Sequence, residues 1–194
     1  ELQSSLEDLA NFLLKKKIFL LIDEAYYEFS DLNCLELIKQ YQNVILTRTF
    51  SKAWGAAGCR VGYALSSKEN IKQLEKVRLT YPISNVSLKF INYLLDHSEL
   101  ISNYIQETIR ERNIIKNKLE LIGVKVFPTE TNIMQFKADE NKLKKISEIL
   151  RKHNVAYRSE INEAQNKIQW IRIHIGQGLE HQNYMKEIFN LNSI

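Results

Sequence analysis

Thr49-Phe50-Ser51-Lys52-Ala53-Trp54-Gly55-Ala56-Ala57-Gly58-Cys59-Arg60-Val61-Gly62 is the stretch on which this sequence turns. Three of the six glycines in the chain, Gly55, Gly58 and Gly62, fall within eight of its residues. The stretch begins where Val44–Thr49 ends, a β-branched and apolar run that reads as a strand. Upstream, Ile18–Ile22 reads as a fully buried strand that stops at Asp23-Glu24, and Asp31–Tyr41 between the two reads as a short helix. Two buried strands with a helix between them predict a parallel pair joined by a crossover. Asp23 then lies just past the carboxyl end of one strand and Lys52 just past the next. That is the edge of an open α/β sheet where ligands bind.

The residue types at that edge suit one chemistry. A glycine-rich turn lets backbone N–H groups approach an anion closely. Arg60, eight residues after Lys52, offers a planar fork for phosphate oxygens, and Thr49 and Ser51 add hydroxyl donors. A carboxylate, a lysine and a phosphate cradle are what pyridoxal 5'-phosphate requires. Lysine bonds its aldehyde, and a carboxylate keeps its ring nitrogen protonated. Tyr26 could donate to the cofactor's 3-oxygen. Each residue also has a plainer role when taken singly. Asp23 could serve as a turn residue, Ser51-Lys52 as a solvated turn, the glycines as a tight bend, and Tyr26 and Tyr27 as core aromatics. The joint spacing carries the reading.

Working outward, Ser5–Lys16 has helical spacing, Val61–Leu65 reads as a strand, and Ser67–Arg78 as a helix with Ser67 as N-cap. Pro82 interrupts the pattern, and Asn85–Leu95 resumes as helix. Ser98–Ile122 is a long amphipathic helix closed by Gly123. After it the texture changes. Val124–Phe127, Asn132–Phe136, Val155–Ser159 and Ile168–Ile175 read as strands, and Asp139–His153 and Glu180–Phe189 as helices. The predicted fold is α/β: part of a mostly parallel sheet with helices over residues 1–98, then a smaller α+β domain over 99–194, entered through the long helix.

Composition narrows the classes. The 194 residues are 44% hydrophobic and 26% charged, with a net charge of +4, and the charges are interspersed. No basic run interleaved with aromatics marks a nucleic-acid surface. The longest apolar run, Ile18–Ile22, is far short of a membrane span. Two cysteines, Cys34 and Cys59, support neither a disulfide framework nor a four-cysteine zinc site, and no other metal-ligand pattern stands out. A reduced, cytoplasmic setting is the expectation.

Asp23-Glu24-Ala25-Tyr26, followed by Thr49 through Gly62-Tyr63, resembles the fold-type-I pyridoxal-phosphate aminotransferases, and among them the histidinol-phosphate aminotransferase subgroup. The resemblance implies Lys52 as the lysine that bonds the cofactor and moves the proton. It implies Asp23 on the pyridine nitrogen, Tyr26 on the 3-oxygen, and Thr49, Ser51 and Arg60 on the phosphate. Trp170-Ile171-Arg172-Ile173-His174-Ile175-Gly176 resembles the strand that carries the substrate-carboxylate arginine, which implies Arg172. An arginine amid an apolar strand is itself costly unless it meets an anion, although a structural ion pair would also serve. Arg158 matches, more loosely, the arginine that reaches a substrate phosphate; a solvated strand end is the alternative.

Some features depart from the family pattern. His174-Ile175-Gly176-Gln177-Gly178 stands where small hydroxyl residues are common, and Cys59 where an apolar residue is. The family's Asn-Pro-x-x-Pro-Thr-Gly motif, its glycine-rich helix start and the aromatic that stacks on the ring are not in this sequence. The expectation is therefore a carboxyl-terminal portion of the architecture, inactive alone. Its half-sheet would have an unpaired edge and an uncovered apolar face, to be met by an amino-terminal half-domain or by self-association. Expected partners are a small amino acid or keto acid substrate and a second copy in a homodimer. Two alternatives stand beside transamination: a decarboxylase of the threonine-phosphate type, and a non-catalytic module that retains the fold.

Overall fold

The structure is a computed structural model and describes residues 2–162, 167–176 and 179–192. It forms two compact units, Glu1–Ser102 and Asn103–Ile194. The division falls inside the long helix, which runs Ser98–Leu121.

The first unit is built on a three-stranded sheet. β1 (Leu20–Asp23) pairs in parallel with β2 (Val44–Thr49), and β2 pairs antiparallel with β3 (Gly62–Leu65), in the order β1-β2-β3. The register sets Asp23 beside Thr47, and Thr49 beside Gly62. Helix α1 (Leu2–Lys15) and helix α2 (Leu35–Gln40) supply Ala10 and Leu37 to one face of this sheet, where they meet Val44 and Leu46. The α2 turn is shorter than Asp31–Tyr41. Ser30 and Asn33 side chains instead hold the backbone amides of Leu32 and Leu35, so local turns compete with the helix over residues 30–34.

The expectation of a fully buried first strand is overturned. β1 begins at Leu20, and exposure alternates along it, with Leu21 64% and Phe19 62% exposed. Among the described residues β1 is an edge strand covered on one face. A run of five apolar residues says how apolar a segment is, but not how many faces are covered. Asp23 is accordingly the last residue of the strand rather than the first beyond it.

Past β2 the glycine-rich segment makes a short 3-10 turn at Ala57–Cys59, with Gly55 at φ +64° and Arg60 at φ +55°. Gly62 has a separate reason to be glycine. A Cβ there would come within 2.8 Å of the Arg48 carbonyl oxygen, which is backbone and cannot swing away. Gly62→Ala is expected to destabilise the first unit by about 1–3 kcal/mol, as overpacking does, with a lower denaturant midpoint at unchanged slope as the readout. α3 (Lys68–Lys76) and α4 (Asn85–Asp96) follow, each opened by a serine whose hydroxyl accepts a backbone N–H: Ser67 from Asn70 and Ser84 from Ser87. Around them Val77, Leu79, Tyr81 and Val86 are largely exposed.

The second unit is a four-stranded antiparallel sheet with helices. β4 (Lys125–Val126), β5 (Ile133–Lys137), β6 (Arg158–Asn162) and β7 (Lys167–His174) lie in the order β4-β5-β7-β6. The long helix, α5, ends where Gly123 adopts φ +76°, as a C-cap glycine should. Asp139 caps α6 (Glu140–Lys152) through the Lys142 amide, and α7 (Leu179–Phe189) completes the set. Met134, Phe136, Ile171 and Ile173 point into one core with Ile115, Leu119, Ile146 and Leu150. β6 starts three residues later than the Val155 start that its apolar residues suggest, so Arg158 opens the strand instead of lying near its end. Gln177 and Gly178 lie outside the described residues.

Candidate active site

The carboxyl ends of β1 and β2 gather the charged and hydroxyl groups. Alternation in β2 buries Val44, Leu46 and Arg48 on one face and turns Ile45, Thr47 and Thr49 to the other. Asp23, paired with Thr47, shares that second face. Its Oδ1 accepts hydrogen bonds from the Ala25 amide at 3.1 Å and from the Thr47 hydroxyl at 3.4 Å. The carboxylate is exposed and, among the described residues, forms no ion pair.

Thr49 and Ser51 form a compact donor cluster. Their hydroxyls lie 2.9 Å apart, and the Ser51 amide donates to Thr49 Oγ1 at 3.0 Å. Lys52 is half-buried, with its Nζ 5.1 Å from the centre of the Tyr26 ring. Lysine and tyrosine thus meet although 26 residues separate them, because parallel pairing brings both strand ends to one edge. Arg60 is exposed, and its guanidinium donates to the Ala57 carbonyl at 3.3 Å across the turn. The chemistry of this set suits a phosphorylated pyridine aldehyde: an amine that can bond a carbonyl, a carboxylate held in orientation, hydroxyls, and a guanidinium on a turn with open backbone.

The sequence reading missed the face beneath. Glu24 and Arg48 are 7% and 8% exposed and form an ion pair at 2.8 Å. Glu24 also accepts the Cys34 amide at 3.1 Å, and the Arg48 guanidinium stacks 3.7 Å from the centre of the Tyr27 ring. Burial works against the Arg48 charge, but the Glu24 carboxylate together with Tyr63 and Tyr27 holds the guanidinium above its ordinary value. Burial, together with Tyr63, raises the Tyr27 hydroxyl to about 12. Burial, together with Glu24, raises the Cys34 thiol to about 11, so it is an unreactive thiol at neutral pH. A signal for the pair was present. Val44, Leu46 and Arg48 share parity, so an arginine on that buried face needs an anion.

In the second unit β6 and β7 set Arg158 directly beside Arg172, and β5 sets Gln135 on the other side of Arg172. Arg172 is half-buried and Arg158 exposed, both on the face opposite the core. Among the described residues neither forms an ion pair. Two cations directly opposite on adjacent strands repel, so the row Gln135–Arg172–Arg158 favours an anion over that face. His174 is exposed on the same face, and Cys59 is half-buried against the Phe50–Ile91 cluster. Among the described residues no cluster of three or more His, Cys, Asp or Glu is placed to hold a metal ion, and no helix is long and apolar enough to cross a membrane.

Residues 3–186 match the family model for aminotransferase class I and II. This chain belongs to that family. It is 34% identical over 176 residues to the histidinol-phosphate aminotransferase of Thermotoga neapolitana, covering 91% of this chain and 50% of that protein. Over 127 residues it is 38% identical to the enzyme of the same name from Ruminiclostridium cellulolyticum, covering 65% of this chain and 36% of that one. The chain thus spans about half the length of the first of these relatives. In fold it resembles the histidinol-phosphate aminotransferase of Clostridium acetobutylicum, with a TM-score of 0.74 and 22% identity over 96% of this chain and 58% of that one. The L-threonine-O-3-phosphate decarboxylase of Porphyromonas gingivalis has the same TM-score, 0.74, at 21% identity over 99% of this chain and 60% of that one. The enzyme of Sinorhizobium meliloti, solved in complex with pyridoxal-5'-phosphate, gives 0.71 at 24% identity over 89% of this chain and 49% of that one. The α/β architecture expected for the aminotransferase fold is the one observed.

Proposed function

We propose that this chain carries the lysine-bearing half of a pyridoxal-phosphate aminotransferase site that moves an amino group between an amino acid such as glutamate and a keto-phosphate. The supporting observation is the meeting of Lys52 with Tyr26, next to Asp23, at the shared carboxyl edge of two parallel strands. When bound, the cofactor supplies an electron sink for charge developing at the substrate Cα. Asp23, fixed by Ala25 and Thr47, holds a proton on the ring nitrogen. Thr49, Ser51 and Arg60 grip the phosphate. Tyr26 donates to the 3-oxygen. Lys52 would hold the cofactor through its aldehyde carbon and, once the amine of the incoming amino acid had displaced it there, would be the free amine that carries the Cα proton. Arg172 orients the carboxylate of the amino acid, and Arg158 beside it meets a substrate phosphate.

Transamination is favoured over decarboxylation because the relatives named above at 34% and 38% identity are histidinol-phosphate aminotransferases. The free cysteines Cys34 and Cys59 accord with a reducing, cytoplasmic setting. A homodimer accords with the exposed apolar residues of the first unit.

Incubation with pyridoxal phosphate followed by borohydride tests the reading. The expected result is a visible absorption band and a reduced pyridoxyl group on one lysine, Lys52, found by peptide mapping. Labelling elsewhere, or none even with an amino-terminal half-domain supplied, would overturn it. Release of 2-oxoglutarate from glutamate, rather than carbon dioxide from an amino-acid phosphate, separates the two reactions.

A further inference from the structure

We propose that Glu24 and Arg48, on the covered face of the sheet, are positioning residues for the Asp23 carboxylate and the Thr49 hydroxyl on its open face. The inference rests on the proposed function only for what those two groups bind. Neighbours along a strand point to opposite faces. Whatever pins Glu24 and Arg48 below therefore sets how Asp23, Thr47 and Thr49 are presented above.

The pin is firm. The ion pair joins β1 to β2 across the last rung of the ladder, where the Glu24 amide donates to the Thr47 carbonyl at 2.8 Å. Each partner has a second hold. Glu24 accepts the Cys34 amide at the start of α2, and Arg48 lies over the ring of Tyr27, three residues further along from Glu24. The pair thus ties both strand ends and the start of α2 through Glu24 and, through Arg48 on Tyr27, the segment that carries Tyr26. On the open face the same rung shows as the Thr47–Asp23 contact and the Ala25–Asp23 contact, both on Oδ1. Freed from Glu24, the rung can twist, and among the described residues no side chain other than Thr47 holds Asp23.

Amide hydrogen exchange on the cofactor-free chain tests this. The probes are the two amides that donate to open-face side chains, Ala25 (to Asp23) and Ser51 (to Thr49). Glu24→Gln keeps the shape and removes the charge. Leu37→Ala, a cavity in the same core, serves as the control for general loss of stability. Exchange at Ala25 and Ser51 is expected to quicken at least tenfold more in Glu24→Gln than in Leu37→Ala at matched denaturation midpoint. Equal exchange in the two variants would overturn the positioning role. A parallel arm adds pyridoxal phosphate. A wild-type chain that forms no visible band even with an amino-terminal half-domain supplied, with the exchange difference intact, would sink the Lys52 reading and leave the positioning role standing. A band of equal strength in wild type and Glu24→Gln, with equal exchange, would do the reverse.

Discussion

In the complete site proposed above, with an amino-terminal half-domain supplied, alanine in place of Lys52 is expected to lower transamination by about four orders of magnitude or more. A positioned acid–base group contributes roughly 10²–10⁴-fold, and the covalent bond to the aldehyde is lost in addition. The fold should not change with it. Lys52 is half-buried, sits over the Tyr26 ring at 5.1 Å and, among the described residues, forms no ion pair. A half-buried contact of that kind is worth about 0.5–2 kcal/mol. Circular dichroism and the denaturation midpoint should therefore stay close to wild type while turnover collapses. Lys52→Arg sharpens the test. It keeps the cation over Tyr26, but a guanidinium does not give up its proton at neutral pH. It should be as inactive as alanine. Activity that survives in Lys52→Arg would mean that the charge alone matters and that the amine does no chemistry.

The second large effect is on stability. Removing one partner of a buried ion pair leaves the other charged and dry, at a cost of about 3–5 kcal/mol. Glu24→Ala does this to Arg48 and also frees the Cys34 amide, which adds about 1–3 kcal/mol if no water replaces the carboxylate. Either figure is a large share of the whole stability of a domain, so Glu24→Ala should unfold at much lower denaturant or fail to accumulate. The double change Glu24→Leu with Arg48→Met removes both charges and fills the space with apolar groups. It should recover most of the loss, because an ion pair in a dry site roughly breaks even against well-packed hydrophobes. Urea midpoints of the two single variants and the double variant form the cycle. If the double variant is as weak as the sum of the singles, the two residues do not act as a pair.

Those two residues also show where reading the chain stops. Two helix ends were visible because their signatures are local: Ser67 at the amino end of α3 and Gly123, at φ +76°, after α5. Capping is a short-range interaction, so a window of a few residues contains all of it. The parallel pairing of β1 and β2 was visible for a similar reason, since a crossover helix leaves few other topologies. Burial was not. Leu21 and Phe19 look like core residues, yet they face outward from an edge strand, because coverage depends on what lies beside the strand. The start of β6 slipped by three residues on the same account, since its register is set by pairing with β7 and not by its own apolar residues.

By itself the sequence determined the family and the α/β class, through residues 23–26 and 49–62. Their order and spacing answer to backbone needs: a left-handed turn position at Gly55, a strand position at Gly62 where a Cβ would meet the Arg48 carbonyl, and polar groups at strand ends. Only the tertiary structure decided that Lys52 meets Tyr26, that Arg158 stands beside Arg172, and that Glu24 and Arg48 close a salt bridge under the open face. Each of those contacts joins residues 14 to 26 positions apart, and such partners are chosen by strand register, a property of the paired sheet and not of either strand alone.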